Sequence, residues 1–476
     1  MKSYNTIGKS IPRLDAPLQV TGRLVYGEDM YRPNMLYAAA KYSDHMHAKI
    51  LRIDTAKAEK MPGVRAVITH RDVPVNRNGS GIYGVFDQPV LADTKVCYRG
   101  DAIAVVAAET KEQARAAAEA VCVEYEPLKA VFTVEEALAP GAPVLHPEWF
   151  ESNLSHHQKI RFGDTSEHMF DGCDLVLENT FTTQKVDHAP IEPHVALAEI
   201  EPDGQIVITT STSRPFNYIG VLTNILQMPA TMLRIRSAAV GGAFGGKNEV
   251  TLEPWVALLA KKTGRPVKMV FSREEDLNTS TVRHSYKMTY KTGVTREGRI
   301  LANAVTIWAD SGAYLGLGSS TMLKAIVHAC GPYAIANVRA DAYLVYTNAL
   351  IGSSMRGMGV PQVCFALESQ LDALAYRLGM EPEELRRRNL FSDTGYLPNG
   401  QVIPSSAARA TFAEALLSVT ARESAEGRLR AWHAAFEVLA AEGAHVFICG
   451  RNEQHLQDAL ARIREVGEGD GCAIDL

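Results

Sequence analysis

A glycine-rich loop is the stretch of this chain whose residue types point most directly to chemistry. A predicted strand, Leu233–Val240, leads into the sequence Gly-Gly-Ala-Phe-Gly-Gly-Lys at residues 241–247. Glycines let the backbone pass close to a ligand and aim its N–H groups at anionic oxygens. The loop satisfies the GxxxxGK pattern of a phosphate-binding P-loop, but Asn248 stands where that loop needs Ser or Thr to hold magnesium. The pattern therefore disfavours a P-loop and leaves two alternatives, another anion site or a glycine turn without a ligand.

Two imidazoles and a carboxylate upstream of the loop could in principle hold a metal ion. His188, Glu192 and His194 fall within seven residues. Their spacing does not fit the HExxH pattern of a zinc site, and Pro190 and Pro193 break any helix that would align them. We expect a structural role for these side chains and no metal site.

The seven cysteines do not form a metal-binding or cluster-binding motif. No two of them are spaced as CxxC, and their number is odd. This pattern argues against a zinc site, a cysteine-ligated iron–sulfur cluster and a secreted disulfide framework. We expect them to be small buried hydrophobic residues.

Composition narrows the class of protein. The chain has 476 residues, of which 46% are hydrophobic and 22% charged, which is typical of several folded domains rather than of disorder. A net charge of −5 without a basic block disfavours binding to nucleic acid. No apolar run is long enough to span a bilayer, and the N-terminus lacks the apolar stretch of a signal peptide. We therefore expect a cytoplasmic chain without a membrane segment.

The hydrophobic pattern predicts both strands and helices, in irregular order. Predicted strands are Ala102–Ala108, Val121–Tyr125, Gln205–Thr210, Leu233–Val240, Val305–Ala309 and His445–Cys449, and predicted helices are Lys111–Ala120, Thr251–Thr263, Phe365–Leu378, Ala407–Ala421, Ala434–Ala441 and Glu453–Val466. Because strands and helices do not alternate regularly between 163 and 389, a mixed or antiparallel sheet is favoured over a doubly wound one. The fold class is therefore predicted to be α+β.

Motifs spread over about residues 10 to 400 give the chain a family resemblance. They are Arg13-x-Asp15, Val20-Thr21-Gly22, Tyr26-x-x-Asp29, Pro62-Gly63-Val64, Tyr98-Arg99-Gly100-Asp101, the segment 123–128, His188-Ala189-Pro190-x-Glu192-Pro193, the glycine loop, the segments 263–268 and 272–275, Asp310-Ser311-Gly312-Ala313-Tyr314, Gly331-Pro332-Tyr333, and Arg356-Gly357-x-Gly359-x-Pro361-Gln362. Together they resemble the molybdenum-binding subunit of the xanthine dehydrogenase/aldehyde oxidase family, the molybdenum hydroxylases. The resemblance implies an α/β hammerhead-type domain over 1–135 and the first part of the molybdopterin-binding region over 136–420.

The resemblance also implies a set of cofactor-binding residues. In that family the glycine loop lies over a molybdenum–molybdopterin cofactor, and the backbone of its Phe contacts the centre. Arg356 falls on another contact, where a fixed fork of donors suits oxo and phosphate oxygens. The residues carried over as cofactor-binding are Ser213, Gly242, Phe244, Gly245 and Arg356.

Substrate-contacting positions depart from those of purine-hydroxylating members. Asn248 replaces a Glu that polarises a purine, Lys324 replaces an Arg and loses its bidentate fork, and Met358 replaces a Phe that sandwiches an aromatic ring. Ser213 stands where those enzymes use a Gln, and Glu249 is only a weak stand-in for the missing carboxylate because it comes one residue late. These changes make xanthine a doubtful substrate.

The resemblance leaves the catalytic base outside the matched residues. Family members are much longer, and their remaining half supplies further pterin contacts and the Glu that acts as general base. No catalytic residue and no direct metal ligand is therefore assigned in this chain. Electrons would pass to partner subunits that carry iron–sulfur clusters and FAD, since this chain has no cluster ligands.

The C-terminal tail has a different character. Residues 434–476 resemble a short-chain dehydrogenase/reductase fragment, an α-β-α piece of a Rossmann-like fold in which Arg451 would favour a 2′-phosphate. The glycine-rich phosphate turn that should precede its helix is absent, since Gly427 stands alone there. Residues 421–476 are predicted to be a junction followed by this fragment, produced by fusion, truncation or an assembly error.

The function implied is oxidative hydroxylation of a heteroaromatic or aldehyde substrate with water-derived oxygen. The chain alone is expected to be inactive. The main alternative is a truncated or fused chain without catalytic function, and a remote one is an NADP-dependent short-chain reductase.

Overall fold

The structure, a computed structural model, describes residues 5–80, 84–392, 394–422, 446–450 and 469–473. Its strands are β1 (Leu36–Tyr42), β2 (Ala48–Asp54), β3 (Val64–Thr69), β4 (Asn78–Ser80), β5 (Val85–Gln88), β6 (Lys95–Val96), β7 (Ala102–Ala108), β8 (Cys122–Pro127), β9 (Leu154–Phe162), β10 (Leu175–Thr183), β11 (Val195–Ile200), β12 (Ile206–Thr210), β13 (Leu233–Ser237), β14 (Val267–Val270), β15 (Val282–Arg283), β16 (Tyr286–Val294), β17 (Ile300–Gly312), β18 (Asn337–Tyr346), β19 (Gly352–Ser353), β20 (Gly395–Tyr396), β21 (Val402–Ile403), β22 (Val446–Gly450) and β23 (Gly469–Ala473). Its helices are α1 (Ala16–Val20), α2 (Ala56–Glu59), α3 (Lys111–Glu119), α4 (Val134–Leu138), α5 (Pro215–Leu226), α6 (Glu253–Thr263), α7 (Arg273–Thr279), α8 (Gly318–Val327), α9 (Val360–Leu378), α10 (Pro382–Asn389) and α11 (Ala408–Arg422).

A seven-stranded mixed sheet combines strands from both predicted regions. Its order is β13-β12-β11-β14-β1-β7-β3, with parallel pairs β12–β13 and β1–β14 among antiparallel neighbours. Leu36 pairs with Val267, so the N-terminal strands and those flanking the glycine loop share one backbone hydrogen-bond ladder. This sheet fixes where β13 ends, and the glycine loop begins four residues later.

Both faces of this sheet are covered by helices. α5 and α6 contribute Leu222, Trp255 and Leu259 to the core against one set of strand residues, while α3 contributes Ala114 and Ala117 to a second cluster. Every residue of β7 is buried as a result. That explains its continuous apolar sequence, which a strand buried on both faces requires.

A five-stranded sheet, β10-β16-β17-β18-β9, carries the second half of the described fold. The β17–β18 pair is parallel and the other pairs are antiparallel. α9 packs on it through Gln370, whose side-chain amide donates to the carbonyl of Leu177 at 2.9 Å and accepts from Asn179 at 2.8 Å. A buried glutamine is tolerated because its amide has these partners.

The predicted elements in this part of the chain are confirmed, with shifts at their ends. The mixed sheets agree with the irregular order of elements. α6 and α9 end at Gly264 and Gly379, which adopt left-handed caps at φ 64° and 63°. α9 begins at Val360, five residues before the predicted start, because Pro361 lies in its first turn, where a missing N–H costs nothing.

The chain divides into two units. The first comprises residues 1–386 and 397–401, and the second comprises 387–396 and 402–476. In the second unit β20 pairs with β21, and β22 pairs in parallel with β23, which confirms the strand predicted at 445–449. The two predicted tail helices, Ala434–Ala441 and Glu453–Val466, lie outside the described residues, as do Gly427 and Arg451. Among the described residues, no helix is both long enough and apolar enough to cross a membrane.

Candidate functional site

The glycine loop has a backbone shaped to expose its N–H groups. Gly242 and Gly245 both have φ of 106°, and Phe244 between them has φ of 51°, a left-handed conformation that is rare for a bulky residue. The backbone N–H groups of residues 242–245 donate no hydrogen bond to any described residue. Successive N–H groups left free by such alternating conformations form an anion-binding concavity. The Phe244 side chain is 49% exposed, so the loop is open to solvent.

Gly245 allows a second segment to approach the loop. A Cβ atom at Gly245 would lie 2.7 Å from the backbone oxygen of Ser354, closer than packing permits. The Ser354 hydroxyl donates to the backbone oxygen of Gly245 at 3.0 Å and accepts from the Asn248 amide at 2.9 Å. The loop and the segment after β19 are therefore held against each other by glycine packing and by two hydrogen bonds.

The same segment brings Arg356 and Met358 to the loop. The Arg356 N–H donates to the backbone oxygen of Phe244 at 2.8 Å, and the Arg356 side chain is exposed. Gly357, Met358 and Gly359 follow with φ of 93°, 44° and 84°. Three consecutive left-handed residues turn the chain sharply into α9.

Ser213 is hydrogen-bonded to the end of the glycine loop, whereas Lys324 lies on a separate helix. The Ser213 N–H donates to the backbone oxygen of Lys247 at 3.2 Å, which places it at the C-terminal end of the loop. Lys324 lies exposed in the last turn of α8 and forms no ion pair with another described residue. α8 packs against the turn before α9, since a Cβ at Gly359 would lie 2.6 Å from the Thr321 carbonyl. Hydrogen bonds thus connect the glycine loop and the residues that follow it to Ser213 and to the segment that carries Arg356 and Met358, whereas Lys324 lies on a neighbouring helix.

Lys247 points into the protein instead of towards a ligand. Its side chain is fully buried, and its Nζ donates to the backbone oxygen and to the carboxylate Oε2 of Glu192, both at 2.8 Å. The same Oε2 accepts from the Gly241 N–H at 2.9 Å, and Oε1 accepts from Gly27 at 3.1 Å. A P-loop lysine must be free to contact phosphate, so this arrangement excludes the P-loop interpretation.

The two histidines beside Glu192 also have protein partners. His188 Nε2 donates to the Ser354 carbonyl at 2.7 Å, and His194 lies between Asp276 Oδ1 at 2.5 Å and the Gly246 carbonyl at 3.1 Å. Burial alone would raise the pKa of Asp276, but the hydrogen bond and charge of His194 outweigh it and lower that pKa. Among the described residues no group of three His, Cys, Asp or Glu side chains could hold a metal ion. The expected structural role of these residues agrees with this geometry.

The Glu249 side chain is buried and hydrogen-bonded, which its position in the sequence did not suggest. Its carboxylate accepts a hydrogen bond from the Ser353 hydroxyl, and burial raises the pKa of Glu249 to about 7. Asn248, which the sequence analysis assigned to substrate, donates its amide to the Ser354 hydroxyl. Glu249 is the first carboxylate after the glycine motif, and this was the available signal, but the sequence could not show whether Asn248 or Glu249 turns inward.

Models of known protein families match both of the predicted regions of the chain. A family model described as the molybdopterin cofactor-binding domain matches residues 145–390, and one described as the aldehyde oxidase and xanthine dehydrogenase a/b hammerhead domain matches residues 21–129. These matches confirm the predicted order of a hammerhead domain followed by a molybdopterin-binding region. Neither match extends beyond residue 390, so the resemblance of the tail to a short-chain dehydrogenase gains no support from them.

Individual relatives are similar over most of the chain. It is 38% identical over 405 residues to the nicotinate dehydrogenase large molybdopterin subunit of Eubacterium barkeri, covering 85% of this chain and 94% of that one. It is 42% identical over 379 residues to a probable xanthine dehydrogenase subunit of Bacillus subtilis, covering 79% of this chain and 50% of that one. The solved aldehyde oxidoreductase of Desulfovibrio gigas superposes with a TM-score of 0.81 at 32% identity, covering 90% of this chain and 47% of that one. The chain thus spans nearly all of one relative and about half of the other two.

The site fits the cofactor that these matches imply. The free N–H groups of residues 242–245 are donors suited to oxo and phosphate oxygens, and the Gly245 approach leaves no room for a side chain. Arg356, whose backbone N–H is hydrogen-bonded to Phe244, adds an exposed, guanidinium-bearing side chain. The matched domains and the relatives show that the chain is an oxidoreductase subunit of the xanthine dehydrogenase/aldehyde oxidase family and carries its molybdopterin-binding domain.

Proposed function

We propose that this chain is the part of a molybdenum hydroxylase that holds the cofactor while a heteroaromatic or aldehyde substrate is hydroxylated with oxygen from water. The observation that carries the proposal is the hydrogen bond between Phe244 and Arg356, which joins the glycine loop to the segment after β19. This hydrogen bond brings the backbone N–H groups of residues 242–245, which have no partner among the described residues, next to the segment that carries the exposed Arg356 side chain. When bound, the molybdenum cofactor supplies the redox chemistry of the hydroxylation.

The chain's own residues bind and orient in this proposal. Gly242, Phe244 and Gly245 present backbone N–H groups to the cofactor's anionic oxygens, and Arg356 adds its donor fork. Ser213 lies at the C-terminal end of the loop, where its N–H donates to the backbone oxygen of Lys247.

The substrate-facing residues favour a ring other than xanthine. Met358 would pack on an aromatic ring without fixing its plane, and Lys324 would contribute a positive charge from α8. Asn248 has an amide where purine-hydroxylating members have a carboxylate, and that amide donates to Ser354, so it does not polarise a purine. Relatives named for nicotinate and for aldehydes support these two classes as substrates.

A second polypeptide completes the proposed enzyme. Because the chain spans about half of two relatives, we propose that a separate chain supplies the remaining pterin contacts and the general-base glutamate. Ile191, which precedes the loop-binding Glu192, is 94% exposed, and Phe216 in the first turn of α5 is 87% exposed, so both suit burial by such a partner. Iron–sulfur and FAD subunits would take the electrons. A cytoplasmic location is part of the same proposal.

The test is to express residues 1–476 with molybdate, alone and together with a chain equivalent to the second half of the family. About one molybdenum per complex and dye reduction dependent on a heteroaromatic or aldehyde substrate are expected only for the combination. An Arg356→Ala complex is the control. A combined complex that binds no molybdenum would support the alternative, a chain without catalytic function.

A further inference from the structure

A cavity next to the glycine loop is lined in part by polar residues. It is lined by Arg214 and Asn217 at the start of α5, by Glu249, and by Leu317 before α8. Arg214 directly follows Ser213, and Glu249 directly follows Asn248, so the cavity adjoins the proposed cofactor and substrate positions.

The Arg214 guanidinium has no hydrogen-bond or ion-pair partner among the described residues. The Arg214 backbone N–H donates to the Thr212 hydroxyl at 3.0 Å, which fixes the main chain at the start of α5. The guanidinium itself forms no hydrogen bond or ion pair with the residues that the structure describes, although the side chain is partly buried. A guanidinium presents five N–H donors in a planar fork, and leaving them unpaired in a cavity is costly unless a ligand or water takes them.

Glu249 faces the same cavity from a fixed backbone. The Tyr218 hydroxyl donates to the Glu249 carbonyl at 2.6 Å, and Ser353, which donates to the Glu249 carboxylate, itself accepts from the Leu317 N–H at 3.2 Å. Glu249 and Arg214 do not form an ion pair within the described structure, even though the charge of Arg214 acts on Glu249. One carboxylate oxygen, Oε1, remains without a described partner.

We infer that Arg214 and Glu249 recognise the carboxylate and the ring nitrogen of a planar N-heteroaromatic carboxylate, with Arg214 pairing with the carboxylate. The inference rests on the proposed function, because it makes this cavity the substrate-recognition part of that site. A bidentate guanidinium–carboxylate pair satisfies the unpaired fork and fixes the plane of the ring. Met358 leaves that plane undefined, so the Arg214 fork supplies an orientation that the proposed site otherwise lacks.

Binding of such an anion should be coupled to protonation of Glu249. Burial and the charge of Asp87 raise the pKa of Glu249, whereas the Ser353 hydrogen bond and the charge of Arg214 lower it, with a net pKa of about 7. A carboxylate placed beside Glu249 favours its protonated form, which can donate to a ring nitrogen. Affinity for the anion should therefore fall as pH rises through about 7.

The test measures binding to the full chain by titration calorimetry, with pyridine-3-carboxylate as probe and pyridine-3-carboxamide as its neutral counterpart. The carboxylate should bind about 10- to 100-fold more tightly, the range of one charge-assisted pair. Arg214→Gln should remove this preference, and Glu249→Gln should remove the pH dependence while the preference remains. Arg236→Gln, at an exposed arginine of β13, is the matched control and should behave as the wild type.

Equal binding of the two probes, absence of binding by both, or a preference that persists in Arg214→Gln would each overturn the inference. Circular dichroism of each variant shows whether it folds. Arg214→Lys keeps the charge but loses the planar fork, so we expect it to weaken the preference for the carboxylate probe without abolishing it. The molybdenum content and turnover of the combined complex test the proposed function separately. A complex that hydroxylates aldehydes but shows no carboxylate preference would refute only this inference.

Discussion

The ammonium of Lys247 and the carboxylate of Glu192 form a buried ion pair that closes the glycine loop at both ends. Glu192 Oε2 lies 2.8 Å from Lys247 Nζ and also accepts from the Gly241 N–H. The residues between Gly241 and Lys247 are therefore held at their two ends by one acid, while the N–H groups in the middle remain free. This arrangement holds a strained loop in place without using the donors that a ligand needs.

Replacing Glu192 by Gln should strongly destabilise the protein. The buried Lys247 ammonium would lose its counter-charge, and breaking a buried pair from one side typically costs about 3–5 kcal/mol. Urea unfolding measures the change. Glu126→Gln is the control, because its pair with Lys49 is about half exposed and should be worth less than about 1 kcal/mol. Similar losses in the two variants would show that the loop does not depend on the pair.

Replacing Gly245 by Ala should remove the cofactor from the complex. The new Cβ would lie 2.7 Å from the Ser354 oxygen and would impose a φ of 106° on a residue with a side chain. Molybdenum content measures the effect. Gly264→Ala is the matched control, since that glycine also has a positive φ but has no neighbour within 4 Å. Wild-type molybdenum in Gly245→Ala would contradict the role given to the loop.

Replacing Glu249 by Gln should change how stability depends on pH. Because burial raises the folded-state pKa of Glu249 from 4.5 to about 7, its contribution is fully present below pH 4.5 and is lost as pH rises to 7. Relative to the wild type, Glu249→Gln should gain up to about 3 kcal/mol in free energy of unfolding between pH 4.5 and 8. The exposed Glu119→Gln should show no such gain. A constant difference between variant and wild type across this range would contradict the assigned burial.

Replacing Arg356 by Ala should separate cofactor binding from stability. The Arg356 side chain is exposed and its structural bond is made by the backbone, so the free energy of unfolding should change by less than about 0.5 kcal/mol. Molybdenum content should nevertheless fall. Arg377→Ala, an exposed arginine of α9, should leave both unchanged. A large loss of stability in Arg356→Ala would mean that the arginine supports the fold instead.

Local patterns predicted the elements well and the connections between them poorly. Gly264 and Gly379 end α6 and α9 because a left-handed cap is a local property of one residue. The order of the seven-stranded sheet depends on pairings such as Leu36 with Val267, which no local pattern encodes.

The candidate site shows the same division. The glycine spacing indicated a close backbone approach, and the motif located Phe244 and Arg356, which a hydrogen bond joins. The inward direction of Lys247 could not be predicted, because it depends on Glu192, which lies 55 residues earlier in the chain. The position of the Glu249 side chain could not be predicted for a related reason. Ser353 donates to its carboxylate and Tyr218 donates to its backbone carbonyl, and both residues are distant in sequence.

The parallel pairing of β1 with β14 also constrains how the chain folds during its synthesis. Lys268 Nζ donates to the Met30 carbonyl at 2.6 Å across a sequence separation of 238 residues. At about 5–20 residues per second, a ribosome needs roughly 10–50 s to cover that distance. Until β14 emerges, β1 is an exposed sheet edge, a template for pairing with other chains. The yield of folded protein should therefore depend on translation speed and on chaperones that cover nascent strand edges.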